Sequence, residues 1–163
     1  MVKNKVINYD LENSPLRIKT DSAIGSRHFV RVYFYTSSRN LIGGVTIRLN
    51  ANPDYQLLKC RHPWVSIPTS LPEDNNRIWK ITKTSDPLGI LVHCNDKEIL
   101  NFQFSDTTCT DKTWRSQWGQ EMKRINFYGD TASDYYYHLP GKVGLHDAKR
   151  PAKSHKTDGW QYL

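Results

Sequence analysis

The feature that most restricts this chain is the period of its apolar residues. Val45, Ile47 and Leu49 alternate with Thr46 and Arg48, and Arg77 to Thr84 alternates in the same way, so that every second side chain points to one face. The i, i+3, i+4, i+7 recurrence of an amphipathic helix is nearly absent, and β-branched or aromatic residues fill the apolar windows. A chain patterned this way builds sheets.

Strand-like runs follow one another between turn formers. His28 to Thr36 has the length and residue types of a strand covered on both faces, which predicts a central position. Gly43-Gly44 marks a turn or bulge ahead of the strand through Leu49. Leu57 to Cys60 and Trp64 to Ile67 are short strands either side of Pro63, and residues 68–76 form a loop. Residues 77–84, 90–94 and 98–104, joined by Asp86-Pro87-Leu88-Gly89 and Asn95-Asp96, read as an antiparallel meander. Met122 to Tyr128 places Ile125 and Phe127 on one face and Arg124, Asn126 and Tyr128 on the other. Many short strands without a long helix predict an all-β, antiparallel two-sheet β-sandwich, jelly-roll-like, spanning residues 1–139.

From Pro140 the composition changes. Lys142, Lys149, Arg150, Lys153 and Lys156 outnumber Asp147 and Asp158 by three, among few apolar residues, so residues 140–163 read as a basic extended tail. Trp160 and Tyr162 stand out within it, as terminal aromatics that dock on the fold or on a partner. The chain as a whole carries 23 Lys and Arg against 16 Asp and Glu, a balance that favours anionic partners without naming one. No segment approaches the run of about 20 apolar residues that a membrane-spanning helix requires.

Cys60, Cys94 and Cys109 contain no CxxC pair, which argues against a zinc module, and one thiol stays unpaired whichever bridge forms. One disulfide with a free thiol suits secretion, whereas three reduced thiols suit the cytosol. The strand-rich, Trp-rich character favours a secreted protein, with Met1 either native or added to a mature form. There is no Asn-x-Ser/Thr acceptor to support it.

The order Pro72 to Thr84, Gly89 to Asn95, Glu98 to Asn101, Ile125-Asn126-Phe127 and Asp130 to Tyr135 resembles uncharacterised secreted β-sandwich proteins of marine invertebrates. More distantly it is similar to the domain named after farnesoic acid O-methyltransferase, a name that implies no methyltransferase chemistry here. The resemblance implies an extracellular recognition or matrix module and brings no catalytic residues with it.

Reactive groups give no better lead. There is no GxSxG elbow, and neither Cys94 nor Cys109 sits where a helix N-terminus would lower a thiol pKa. Gly43-Gly44 lacks the following GK[ST] of a phosphate loop. Asp130, Ser133 and Asp134 could contribute oxygens to a Ca²⁺ site, with an Asx turn as the plainer reading.

Carbohydrate recognition needs an aromatic face for a sugar ring and planar polar groups for its hydroxyls. Trp114, Trp118, Tyr135 and Tyr137, flanked by Arg115, Gln117, Asn126 and Asp134, supply both. Trp114 and Trp118, four residues apart, share one side if that segment is helical and plug the core if it is a loop. The expectation is a non-enzymatic, lectin-like module that binds a glycan or an anionic extracellular polymer through rim aromatics. The alternatives are a matrix protein whose basic tail holds acidic polymers and an enzyme with a dispersed site. Nucleic acid is disfavoured, because no Lys/Arg stripe or RNA-binding signature appears.

Overall fold

The computed structural model describes residues 2–20, 29–36, 38–48, 54–57, 65–67, 77–86, 88–103, 112, 116, 119–130, 135–139 and 160–162. In chain order the strands are β1 (Val2–Asn8), β2 (Leu16–Thr20), β3 (Phe29–Tyr35), β4 (Leu41–Arg48), β5 (Asp54–Leu57) and β6 (Val65–Ser66). They continue with β7 (Arg77–Ser85), β8 (Leu88–Cys94), β9 (Lys97–Gln103), β10 (Arg124–Asp130), β11 (Tyr135–His138) and β12 (Trp160–Tyr162). These make two six-stranded antiparallel sheets, the first in the order β1-β10-β3-β4-β5-β6 and the second β12-β11-β2-β7-β8-β9. The expected antiparallel two-sheet sandwich is what the chain forms. No helix among the described residues is long and apolar enough to cross a membrane.

The period-two pattern sets which residues meet between the sheets. Val30, Val32, Phe34, Val45, Ile47, Ile125 and Phe127 of the first sheet pack against Leu16, Ile18, Trp79, Ile81, Val92 and Cys94 of the second. Full burial of each large apolar side chain contributes about 1.5–3 kcal/mol, which is why alternation decides the face each strand turns inward. Phe127 and Tyr137 join the sheets directly, with ring centroids 5.1 Å apart. Gly129 lets β10 lie close to β3: a Cβ there would fall 2.2 Å from the Phe29 carbonyl oxygen.

One end of the sandwich is closed by charge. Lys83 points inward from β7 and donates to Glu12 Oε1 and to the Gln120 carbonyl at 3.1 Å, while Glu12 Oε1 also accepts the Met122 N–H at 2.8 Å. The two side chains are 4% and 18% exposed. A buried charge is tolerated only when paired and hydrogen-bonded, so this pair ties the β1–β2 connection, β7 and the approach to β10 into one unit.

The meander lies where the alternation places it, as β7-β8-β9, and β3 is third of six in its sheet. The β8–β9 connection is a two-residue turn at Asn95 and Asp96, with φ of 48° and 67°. Positive φ at both positions matches the right-handed twist of a hairpin, and Asn and Asp tolerate it. Two strands carry too little local signal to be read in advance. β1 mixes polar and apolar residues without regular alternation, and β2 is short and follows the Asp10–Ser14 turn. Of the segment expected at 57–60, only Leu57 is described; it ends β5, and Cys60 lies outside the described residues. The structure adds Trp160–Tyr162, within the span read as an extended tail, to the second sheet by pairing it with β11.

Candidate functional site

The site is built from side chains that the first sheet turns away from the core. In β3 the residues Val30, Val32 and Phe34 are buried, which leaves Phe29, Arg31, Tyr33 and Tyr35 half-buried on the opposite face. In β10 the inward Ile125 and Phe127 leave Arg124, Asn126 and Tyr128 outward, and in β4 Arg48 and Thr46, the latter fully covered by its neighbours, share that face. Pairing aligns these into cross-strand rows. Tyr128, Arg31 and Thr46 lie side by side, as do Asn126, Tyr33 and Gly44, and Arg124 lies beside Tyr35. Neighbouring strands are about 4.8 Å apart, so each row presents adjacent side chains at contact spacing.

The face is organised by its own contacts. Arg31 Nε donates to Thr46 Oγ1 at 3.3 Å. The Arg31 and Arg48 guanidinium groups stand 5.8 and 5.9 Å from the centre of the Phe29 ring, a cation–π arrangement that holds both planar forks in place. The Asn126 Oδ1 is buried without a hydrogen-bond partner. An orphaned acceptor of that kind is uncommon in a folded protein, and its burial sets it beneath the face rather than on its accessible surface. Gly44 puts no side chain beside Tyr33, and the row that begins with Asn126 and Tyr33 continues through Gly44 to Gln56 of β5.

This arrangement offers rings for apolar faces, guanidinium and amide groups for paired hydroxyls, and no nucleophile activated by a base. Among the described residues no three His, Cys, Asp or Glu groups converge on a metal position. Asp130 ends β10, and Asp134 lies outside the described residues.

The residues singled out from sequence are distributed differently. Asn126 is on this face. Tyr137 is 5% exposed and faces inward from the second sheet, where Lys5 Nζ stands 5.1 Å over its ring, so the two do not meet on a shared surface. Tyr135 begins β11, opposite Thr20. Trp114, Arg115 and Trp118 lie outside the described residues, as does Cys109. Cys94 is free and buried, and burial pushes its thiol up to about 11 against the opposing pull of Arg77. Arg31, Tyr33 and Tyr35 of β3 were not singled out from the sequence. The strand expected to be covered on both faces is fully buried on one only, because nothing apolar among the described residues packs over the Phe29, Arg31, Tyr33 and Tyr35 side.

The two-sheet antiparallel sandwich matches the β-sandwich fold of a galectin. It is similar to the structure of a tetrameric galectin from Cinachyrella sp., a ball sponge, with a TM-score of 0.51 at 12% identity over 82% of this chain and 94% of that one. CG-16, a homodimeric agglutinin from chicken liver, also aligns, at a TM-score of 0.46 and 12% identity over 78% of this chain and 93% of its own. No family model matches the chain, and no curated protein does. The resemblance to the farnesoic acid O-methyltransferase-named domain and to marine invertebrate proteins therefore has no sequence-level support.

Proposed function

We propose that the chain is a carbohydrate-binding module whose first sheet recognises a neutral glycan on its outer face. The observation that carries this reading is the row of Asn126, Tyr33 and Gly44 flanked by Arg31, Tyr128 and Thr46. Tyr33 supplies a ring for the apolar side of a sugar, and Arg31 a guanidinium already oriented by Thr46 and Phe29. Preorganised planar groups lose little rotamer freedom on binding, which suits a polar ligand whose hydroxyls must otherwise give up water. The galectin-type sandwich supports the reading as a scaffold.

A glycan array probed with the full chain and with Tyr33→Ala tests it. Binding to a set of neutral oligosaccharides that Tyr33→Ala removes, at unchanged thermal midpoint, is the expected result. Equal binding by both proteins places recognition elsewhere, with the Trp114 and Trp118 segment as the first alternative. Running the same array with and without a chelator decides whether Asp130 and Asp134 bring Ca²⁺ to the interaction. An extracellular setting accords with this reading, and counting free thiols by mass spectrometry on native material tests it.

A further inference from the structure

The second sheet carries a groove of about 610 Å³ on its outer face, which is within the size range of ligand sites. Arg17, Lys80 and Ile78 form its floor, His138 and Trp160 one wall, and the Asn95-Asp96 turn the other. The register explains this grouping. Trp160 pairs with His138, Arg17 with Lys80, and Lys80 with His93, so one cross-strand stripe runs from β12 to β8. Continuing the β11–β2 register by one residue sets His138 beside Arg17.

Two features make this stripe more than a solvated strand face. Arg17 and Lys80 are directly opposite in an antiparallel pair, an arrangement of like charges that is unfavourable without an anion between them. Among the described residues neither forms an ion pair with a carboxylate. The second feature is Trp160, whose ring is held from one side by Lys19, at 5.2 Å, and at its edge by His138, at 5.1 Å. Lys19 is itself braced over Tyr136 at 5.1 Å, so the indole has a fixed setting at the end of the stripe. Across the groove, Asn95 Oδ1 accepts the Ile78 N–H at 2.7 Å, which leaves its amide NH₂ as a donor. Ile78, 44% exposed, gives the floor an apolar patch.

An anion locus between two opposed cations, an indole wall, an apolar floor and an amide donor together match one ligand chemistry. We infer that this groove binds an acidic saccharide, its sulfate or carboxylate between Arg17 and Lys80 and a sugar ring against Trp160. The site is on the sheet opposite the neutral-glycan face and does not rest on that reading. Asp96 adds a carboxylate at the far wall, so the anionic group is expected on the β2–β7 side of the groove.

The test is calorimetric titration of the full chain with four probes: a dextran sulfate oligosaccharide, unsulfated dextran of equal length, inorganic sulfate and a single-stranded oligonucleotide. Dextran sulfate is expected to bind at least tenfold more tightly than each of the others. Arg17→Gln/Lys80→Gln should lower its affinity at least tenfold, at a thermal midpoint no lower than the parent's, and Trp160→Ala about fivefold in a protein that still unfolds cooperatively. Lys80→Gln alone should give an intermediate loss and serves if the double variant does not fold. Tyr33→Ala and Lys149→Gln/Lys153→Gln/Lys156→Gln should stay within twofold of the parent. Parent-like binding by folded Arg17→Gln/Lys80→Gln, loss confined to the Lys149 triple variant, or equal affinity for the oligonucleotide would overturn the inference.

Discussion

The two outer faces of this sandwich share a scaffold and differ in how their side chains are satisfied. On the first sheet Arg31 and Arg48 are matched by the Phe29 ring and Thr46, so the layer of rings and guanidinium groups is settled before any ligand arrives. On the second, Arg17 and Lys80 oppose each other across β2 and β7 and no carboxylate among the described residues answers them. The contrast teaches that inward positions are set mainly by apolar burial, whereas the two outward faces differ in which polar and charged groups are matched within the fold. On the reading proposed above, the matched face would take a neutral polar ligand and the unmatched cationic one an anion.

The severest way to break the comparison is to remove what both faces stand on. Lys83→Met leaves Glu12 as an uncompensated buried charge and should cost about 3–5 kcal/mol in urea unfolding, with both binding activities lost together. Adding Glu12→Leu should restore more than half of that stability. A loss below about 1 kcal/mol would show that the pair is not a structural tie.

Next in size is a change that separates the faces. Tyr33→Ala should weaken a neutral glycan about tenfold, or about 1.4 kcal/mol, and leave dextran sulfate unaffected. Equal losses for both ligands by titration would mean that the faces are not independent.

A smaller effect concerns the core between them. Cys94 is raised to about 11 and Tyr9 to about 12, both chiefly by burial, and Tyr9 donates to the Pro15 carbonyl at 2.6 Å. The unfolded chain therefore releases these protons first. Stability from the two groups is complete below about pH 9, falls as pH rises through the Cys94 value near 11, and falls further towards 12. Denaturation midpoints across that range should show the decline, and Cys94→Ala should delay its onset by about one pH unit.

The smallest expected change sharpens the contrast in charge. Lys80→Gln relieves the opposition with Arg17 and should raise stability by about 0.2–1 kcal/mol at low ionic strength, with the gain disappearing in 1 M salt. A salt-independent loss instead would mean that Lys80 has a favourable partner.

Much of the sandwich was legible because local pattern and tertiary burial agree along it. Residues 77–103 alternate and carry Asn95-Asp96 where a hairpin needs positive φ, so sequence and structure give the same meander. β1 was hidden because it is an edge strand: Asn4 and Lys5 are exposed, and charge at an edge discourages pairing with another chain. β12 depends on Trp160 reaching His138 and Lys19, which are distant in sequence, and no local propensity reports such a contact. The candidate sites were less readable. Asn126 could be placed opposite Ile125 and Phe127, but Tyr137 shares the inward parity of Ile18, its partner on β2. Whether Tyr33 faces a covering layer or solvent is settled only by what packs beyond its own strand.

The most direct test of neutral-glycan recognition is amide chemical-shift mapping with the best neutral oligosaccharide from the array. Saturable shifts are expected at Arg31, Tyr33, Thr46, Asn126 and Tyr128, with Arg17, Lys80 and Trp160 unmoved. Saturable shifts confined to the second sheet, or to residues of neither sheet, would contradict the assignment of glycan recognition to the first.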